Sequence, residues 1–233
     1  MESFNDRQRP VEIEFPLRGE WTAPTTPAKK IPSHGTNRMG LRYAFDFVRA
    51  DEKDWRKEYD AGFWRFFVFG VPLEKFYCYG EKIYAPCDGE IVELVDGIAE
   101  RKTVHWVRES FRAVKNALTF DENNDEYSLI AGNYLVMKCS DEIYMAFVHL
   151  KTDSITVSLN EKIKQGTLLG RVGHSGNSTS PHLHFQVMAS GDIKNSRGLP
   201  CCFEEYEVYQ NGEWKTVHGQ IPSWDERIRF YKN

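Results

Sequence analysis

Short segments of alternating apolar and polar residues, each ended by a polar or glycine-containing turn, constrain this chain more than any other feature. They fall at 81–85, 89–95, about 132–139, 143–150 and 182–188. A period of two places successive side chains on opposite faces of a pleated strand, whereas a helix needs a period near 3.6. Ala85-Pro86-Cys87-Asp88-Gly89 separates the first two segments with Pro, Asp and Gly, the residues that favour tight turns. The pattern predicts a mainly β fold, a sandwich or barrel-like sheet pair. One region departs from it: Val104, Val107, Phe111, Val114 and Leu118 recur at three and four within 98–118, which predicts a helix with one apolar stripe.

The same pass divides the chain. Residues 1–32 hold Pro10, Pro16, Pro24, Pro27 and Pro32 and few periodic apolar positions, so they predict an extended N-terminal arm lying over a core. A β core is expected over 33–200, with a strand-like stretch from Gly40 to Val48. Two insertions interrupt it, at about 50–78 and about 98–128. The first carries a charged stretch, 51–59, able to form a short helix, and the aromatic run 63–70; the second ends in the polar segment 121–126. Residues 201–233 are expected to form a C-terminal β extension packed on the core.

Thirty basic against thirty-four acidic residues give a formal charge of −4, which offers no general attraction to nucleic acid or anionic lipid. The longest aromatic-apolar stretch, Phe63 to Leu73, is interrupted by Arg65 and is shorter than the roughly 20 residues of a membrane-spanning helix. Five cysteines without a C-x-x-C pair indicate neither a disulfide framework nor a cysteine zinc finger, and a reducing compartment is the simpler expectation. The polar start, Met1 to Arg7, lacks the plan of a secretory signal, so a cytoplasmic protein is expected.

In a strand, His182 and His184 share a face, about 6.6 Å apart along the rise, while Leu183 faces the other way. By itself H-x-H is more often a pair of surface histidines. The polar segment Gly173 to Pro181 before it is expected to be a flexible loop that delivers the strand to an open rim. Asp46, in Tyr43-Ala-Phe-Asp-Phe-Val48, is a carboxylate in an apolar strand, costly to bury unless paired or metal-bound. It could equally accept backbone N–H groups or pair with Arg42 or Arg49. His34 stands twelve positions earlier in a polar turn, and His149 ends the apolar segment 144–150; each alone reads as an ordinary histidine.

Together, and in this order, these segments resemble the lysostaphin-type zinc endopeptidases of bacterial cell-wall turnover. The resemblance runs through His34 with Asp46, Ala85 to Val92, Val148-His149-Leu150, Lys164 to Gly170, and Gly176-Asn-Ser-Thr-Ser-Pro-His182-Leu-His184-Phe185. It covers roughly 33–47 and 81–190. It implies an antiparallel β sandwich of the barrel-sandwich-hybrid kind, with a groove, to which the helical insertion is added. It also implies Zn2+ held by His34, Asp46 and His184, with a fourth position left for water or a substrate carbonyl. His149 and His182 would then be catalytic groups beside the metal, handling a proton or the developing oxyanion. The substrate would be a peptide, in peptidoglycan cross-bridges or stems. In the family the first His and Asp are usually four apart, so the twelve-position spacing here requires a longer intervening loop.

Two other readings fit parts of the sequence. Ala85 to Val92 and Gly166 to Gly170 also resemble carrier and sugar-phosphotransferase β folds, in which His149 would be the phosphorylated residue. A zinc-binding scaffold of the same fold that hydrolyses nothing is the other. His105 is assigned to packing on the insertion helix, and His174 and His218 to structure or solvent.

Overall fold

The computed structural model describes residues 9–51, 53–55, 57–121 and 124–232. In chain order its strands are β1 (Val11–Ile13), β2 (Gly19–Thr25), β3 (Phe45–Val48), β4 (Val71–Pro72), β5 (Lys82–Tyr84), β6 (Gly89–Val95), β7 (Thr103–Val104), β8 (Asn133–Ser140), β9 (Ile143–Leu150), β10 (Lys162–Ile163), β11 (Leu168–Arg171), β12 (Leu183–Met188), β13 (Cys201–Gln210), β14 (Glu213–Gln220) and β15 (Ile228–Phe230). The helices are α1 (Phe63–Val68), α2 (Trp106–Thr119) and α3 (Ser128–Ala131). The fold is mainly β, as the period-two segments predict.

One large sheet runs in the order β1-β13-β15-β2-β3-β12-β9-β8-β6-β10, with β14 paired to β13; β5 pairs with β11 and β4 with β7. Every pairing is antiparallel except β1 with β13. The 9–32 segment thus supplies two strands, and 201–232 three, to the sheet that also contains the site strands.

The main core lies between this sheet and the β5–β11 ladder. Phe45, Phe47, Phe147, Leu183, Phe185 and Val187 enter it from the sheet, and Ile83, Leu169 and Val172 from the ladder and its edge. Phe15 and Phe203 close it from the terminal strands, their rings 4.9 Å apart. Each such side chain contributes about 1.5–3 kcal/mol through burial, so this aromatic layer is a main source of stability. The opposite face of the central strands is also covered: Ala146, Val148 and Met188 pack there with Tyr127, Ala131 and Ile193. A sheet buried on both faces leaves no room for error in register, and the site is built on this second face.

Several local expectations are corrected. The strand expected from Gly40 begins at Phe45, because Met39 and Gly40 adopt φ of 53° and 75° and turn Arg38–Tyr43 into a 3-10 segment. The described residues of 51–59 form no helix; residues 52 and 56 lie outside the described set. The helix of the first insertion is instead α1, inside the aromatic run. In the second, the helix starts at Trp106, and Val104 pairs with Val71 in a short ladder. Cys87 and Cys139 form a disulfide, against the expectation of none, because the turn after β5 and the end of β8 meet in space although 52 positions apart in sequence.

Candidate metal centre

Antiparallel pairing sets the centre of the site. In the β3–β12 register His184 lies directly opposite Asp46, flanked by the core pairs Leu183 with Phe47 and Phe185 with Phe45. The apolar neighbours point into the main core, so strand alternation sends Asp46 and His184 together to the other face. His184 Nδ1 is 2.9 Å from Asp46 Oδ1. His34 arrives from the loop before the 3-10 segment, which closes on itself through Ser33 N to Arg42 O at 3.0 Å. That closure brings His34 Nε2 to 3.2 Å from the Asp46 carboxylate across the twelve-position gap. One ligand atom from each of His34, Asp46 and His184 lies within 4.8 Å of the others.

The remaining ring nitrogens are all occupied. Ser33 Oγ donates to Leu41 O at 3.1 Å, so it accepts from His34 Nδ1–H, also at 3.1 Å. Gln186 Nε2 donates to Met39 O at 2.9 Å, which turns its Oε1 towards His184 Nε2–H at 3.0 Å. Both imidazoles are thereby fixed with the bare nitrogen facing Asp46, the arrangement a metal-binding histidine requires. Gly40 permits it: a Cβ there would stand 2.5 Å from Gln186 Nε2 and 2.7 Å from Met188 Cγ. Two neutral imidazoles and one carboxylate, with space on the fourth side, are a donor set suited to catalytic zinc.

His182 and His149 complete the cluster. His182 immediately precedes β12 on the same face as His184; its Nδ1–H donates to Ser180 O at 2.7 Å, and its Nε2 lies 3.5 Å from Asp46 Oδ1. His149 would face the main core by simple alternation with Phe147. Instead its φ is 64° and the β8–β9 register slips between Phe147 and Leu150, turning the ring to the site face. There its Nδ1–H is shared by Ala131 O at 3.1 Å and Ser175 O at 3.0 Å. Its ring centre is 4.9 Å from that of His182 and 6.0 Å from that of His184. All five residues singled out from the sequence therefore line one open cleft of about 250 Å³, with Met39, Leu41, Tyr127 and Ile130 along its apolar side.

Burial by itself would raise the Asp46 carboxyl, but in the metal-free protein the charges of His34 and His182 when protonated, and the hydrogen bonds that protonated His184 and His34 then donate, outweigh it and hold it well below the usual carboxylate range. Burial, and then the neighbouring His182 and His184, push His149 well below the usual histidine value, so it is neutral near pH 7.

The loop 173–181 is pinned rather than flexible. His174, expected in solvent, is fully buried. Arg101, from the second insertion, donates to Gly176 O and Ser178 O, both at 2.8 Å, and to His174 Nε2 at 3.0 Å, while its Nε lies 2.8 Å from Glu109 on α2. His174 Nδ1–H reaches Ser178 Oγ at 3.0 Å, beside His182 Nδ1. Burial, followed by the charge of Arg101, lowers His174 to about 2. The first insertion brings Glu58 near His182; burial raises its carboxyl, an effect His182 partly offsets. Ser33, Arg101 and Gln186 were not legible as site residues. Only Gln186, two positions after His184 on the same strand face, carried a signal in the sequence.

His105 precedes α2 and packs against Gly70. His218, on β14, is exposed, 3.6 Å from Glu205. Arg42 and Arg49, once possible partners of Asp46, bond instead to Asn37 and Glu81.

Residues 112–196 match the model of Peptidase family M23. The family match covers the part of the chain that carries His149, His182 and His184, and not the part with His34 and Asp46. An uncharacterized metalloprotease of Buchnera aphidicola is 33% identical over 76 residues, 33% of this chain and 20% of that protein. The peptidoglycan DD-endopeptidase ShyC of Vibrio cholerae is 34% identical over 71 residues, 30% of this chain and 16% of that protein. Among solved structures, a zinc-containing peptidase from Vibrio cholerae aligns over 81% of this chain and 37% of its own, with 19% identity and a TM-score of 0.36. The catalytic domain of lysostaphin from Staphylococcus simulans aligns over 60% of this chain and 88% of its own, with 19% identity and a TM-score of 0.33. The similarity to Peptidase family M23 lies in residues 112–196, which contain β8 to β12. It spans about a fifth or less of the length of the two curated relatives it matches here.

Proposed function

We propose that this chain is a zinc-dependent endopeptidase that hydrolyses peptide bonds in peptidoglycan cross-bridges or stems. The observation that carries the reading is the convergence of His34 Nε2, Asp46 and His184 Nδ1, each imidazole already oriented by a partner on its other nitrogen. Zinc held there would polarise a peptide carbonyl and make water more acidic. The chain's own residues do the rest. Asp46 supplies the negative charge that a dication requires, and His34 and His184 supply neutral nitrogen donors. His149 and His182, both with Nδ1–H tied to carbonyls, present bare Nε2 atoms to the cleft. Neutral His149 can accept a proton there at neutral pH and return it to the leaving amine, and the paired imidazole can hold the developing oxyanion. The apolar wall of Met39, Leu41 and Ile130 receives a peptide side chain and displaces water from beside the reacting bond.

The substrate class is supported by the name of the Vibrio cholerae relative, a peptidoglycan DD-endopeptidase. Action on it requires the chain to reach the cell wall. The carrier reading draws no support from the geometry, since the His149 ring stands among other imidazoles inside the cleft.

The test is digestion of cross-linked peptidoglycan by purified, zinc-loaded protein, with products resolved by chromatography and mass spectrometry. Loss of cross-linked fragments, abolished in His182→Ala and by chelation, is expected. Zinc binding with no cleavage by wild type would leave a scaffold and overturn the enzyme.

A further inference from the structure

Surface helices turn their apolar stripe to the core. Helix α2 does the reverse. Its inward side is polar: Glu109 is buried against Arg101, and Asn116 Nδ2 donates to Asn177 Oδ1 at 2.9 Å. Val107, Phe111, Val114 and Leu118 lie on the opposite side, about 140–180° round the helix axis at 100° per residue, and all are exposed, Phe111 by 73% and Leu118 by 81%. Helix α1 extends this surface. Trp64 is 76% and Phe69 75% exposed, and Phe67 meets Trp106 with ring centres 5.4 Å apart, which joins the two helices into one apolar ridge.

The exposed charges on the two helices have one sign. Among the described residues of α1 and α2, the exposed formal charges are Arg65, Arg108 and Lys115, whereas the single acid, Glu109, is buried and paired with Arg101. This holds in a chain whose net charge is −4. A protruding ridge of Trp, Phe, Val and Leu bordered by cations, with no exposed acid on either helix, complements the boundary of an anionic bilayer: the apolar side chains enter the acyl edge and the cations meet the headgroups. No helix among the described residues is long and apolar enough to cross a membrane.

We infer that the α1–α2 face docks the protein on an anionic lipid surface. Because Asn116 contacts Asn177 and Ala113 O receives Asn177 Nδ2 at 3.4 Å, the docked helix backs directly onto the rim of the metal cleft and holds that rim close to the lipid plane. The inference does not depend on the peptidase reading, since a scaffold with the same face would bind equally.

The experiment is flotation of the purified chain with vesicles of phosphatidylcholine alone and with added phosphatidylglycerol. Binding to the anionic vesicles at least about tenfold tighter than to the neutral ones, and weakened by salt, is expected. Phe111→Glu with Leu118→Glu should abolish binding, and Arg108→Glu with Lys115→Glu should remove the preference for anionic lipid. Both pairs should leave circular dichroism and metal content unchanged. Absence of vesicle binding by wild type would overturn the inference. So would a concentration-dependent dimer in sedimentation that Phe111→Glu dissolves while vesicles capture nothing, which would assign the face to a second copy of the chain.

Discussion

Asp46 Oδ1 and His184 Nδ1 lie 2.9 Å apart because their residues are directly opposed across the β3–β12 ladder. The contact is built into the sheet register, so the site cannot lose it without moving two core strands. Asp46→Asn keeps the shape and removes the charge that draws a dication to two neutral imidazoles. Metal affinity should fall by more than the about 10–100-fold that loss of a supporting partner costs. Competition with a chromogenic chelator measures it, with circular dichroism confirming an intact fold.

Gln186 turns His184 without touching the metal position. Gln186→Ala should cost about 10–100-fold in metal affinity. Gly40→Ala should act through the same residue, because the new Cβ meets Gln186 and Met188 and φ of 75° disfavours any L side chain. Its expected cost is about 1–3 kcal/mol in denaturant unfolding, accompanied by weaker metal binding. If Gly40→Ala lowered stability and left affinity untouched, the coupling from the 3-10 segment through Gln186 would be wrong.

Arg101 ties the second insertion to the loop bearing His182. Arg101→Met leaves the Glu109 carboxylate buried without its partner, at a cost of about 3–5 kcal/mol. Arg101→Met with Glu109→Leu should recover most of that stability. Peptidoglycan cleavage should stay impaired in the double variant, since Gly176 O and Ser178 O lose their donor either way. Full recovery of both would limit Arg101 to a structural role.

Acid should destabilise the metal-free protein in a defined way. His174 titrates near about 2 when folded and near 6.5 when exposed, so between those values the unfolded chain holds a proton the folded chain does not. Stability is therefore lost as pH falls below 6.5, by about 1.4 kcal/mol per pH unit for this group. His149, also lowered, adds in the same direction. Asp46, held below the ordinary carboxylate value, contributes stability that is lost as pH falls through its folded value. His174→Gln should flatten the slope between pH 4 and pH 6 by about one proton; an unchanged slope would contradict the buried neutral imidazole.

Much of this was legible in the residues. Period-two alternation located β5, β6, β8, β9 and β12, and Asp46, His182 and His184 share their face by that same alternation. What escaped the sequence depends on long-range closure or on backbone exceptions. His34 reaches Asp46 only because the loop from Ser33 to Arg42 closes on itself. His149 faces the cleft only through its left-handed φ and a slipped register, neither of which its strand-like neighbours signal. Arg101 is separated by 73 positions from His174, with which it bonds. The stripe Val107–Leu118 was periodic as expected, yet it faces solvent, because helical period says which residues share a face and nothing about which way that face turns.

The most direct measurement is the metal content of the purified chain by inductively coupled plasma mass spectrometry, alongside folded Asp46→Ala and His184→Ala variants. One equivalent of zinc per chain in wild type, lost in both variants, is the predicted result. Zinc retained undiminished in either variant, or no zinc retained by wild type after loading and desalting, would contradict a metal centre at His34, Asp46 and His184.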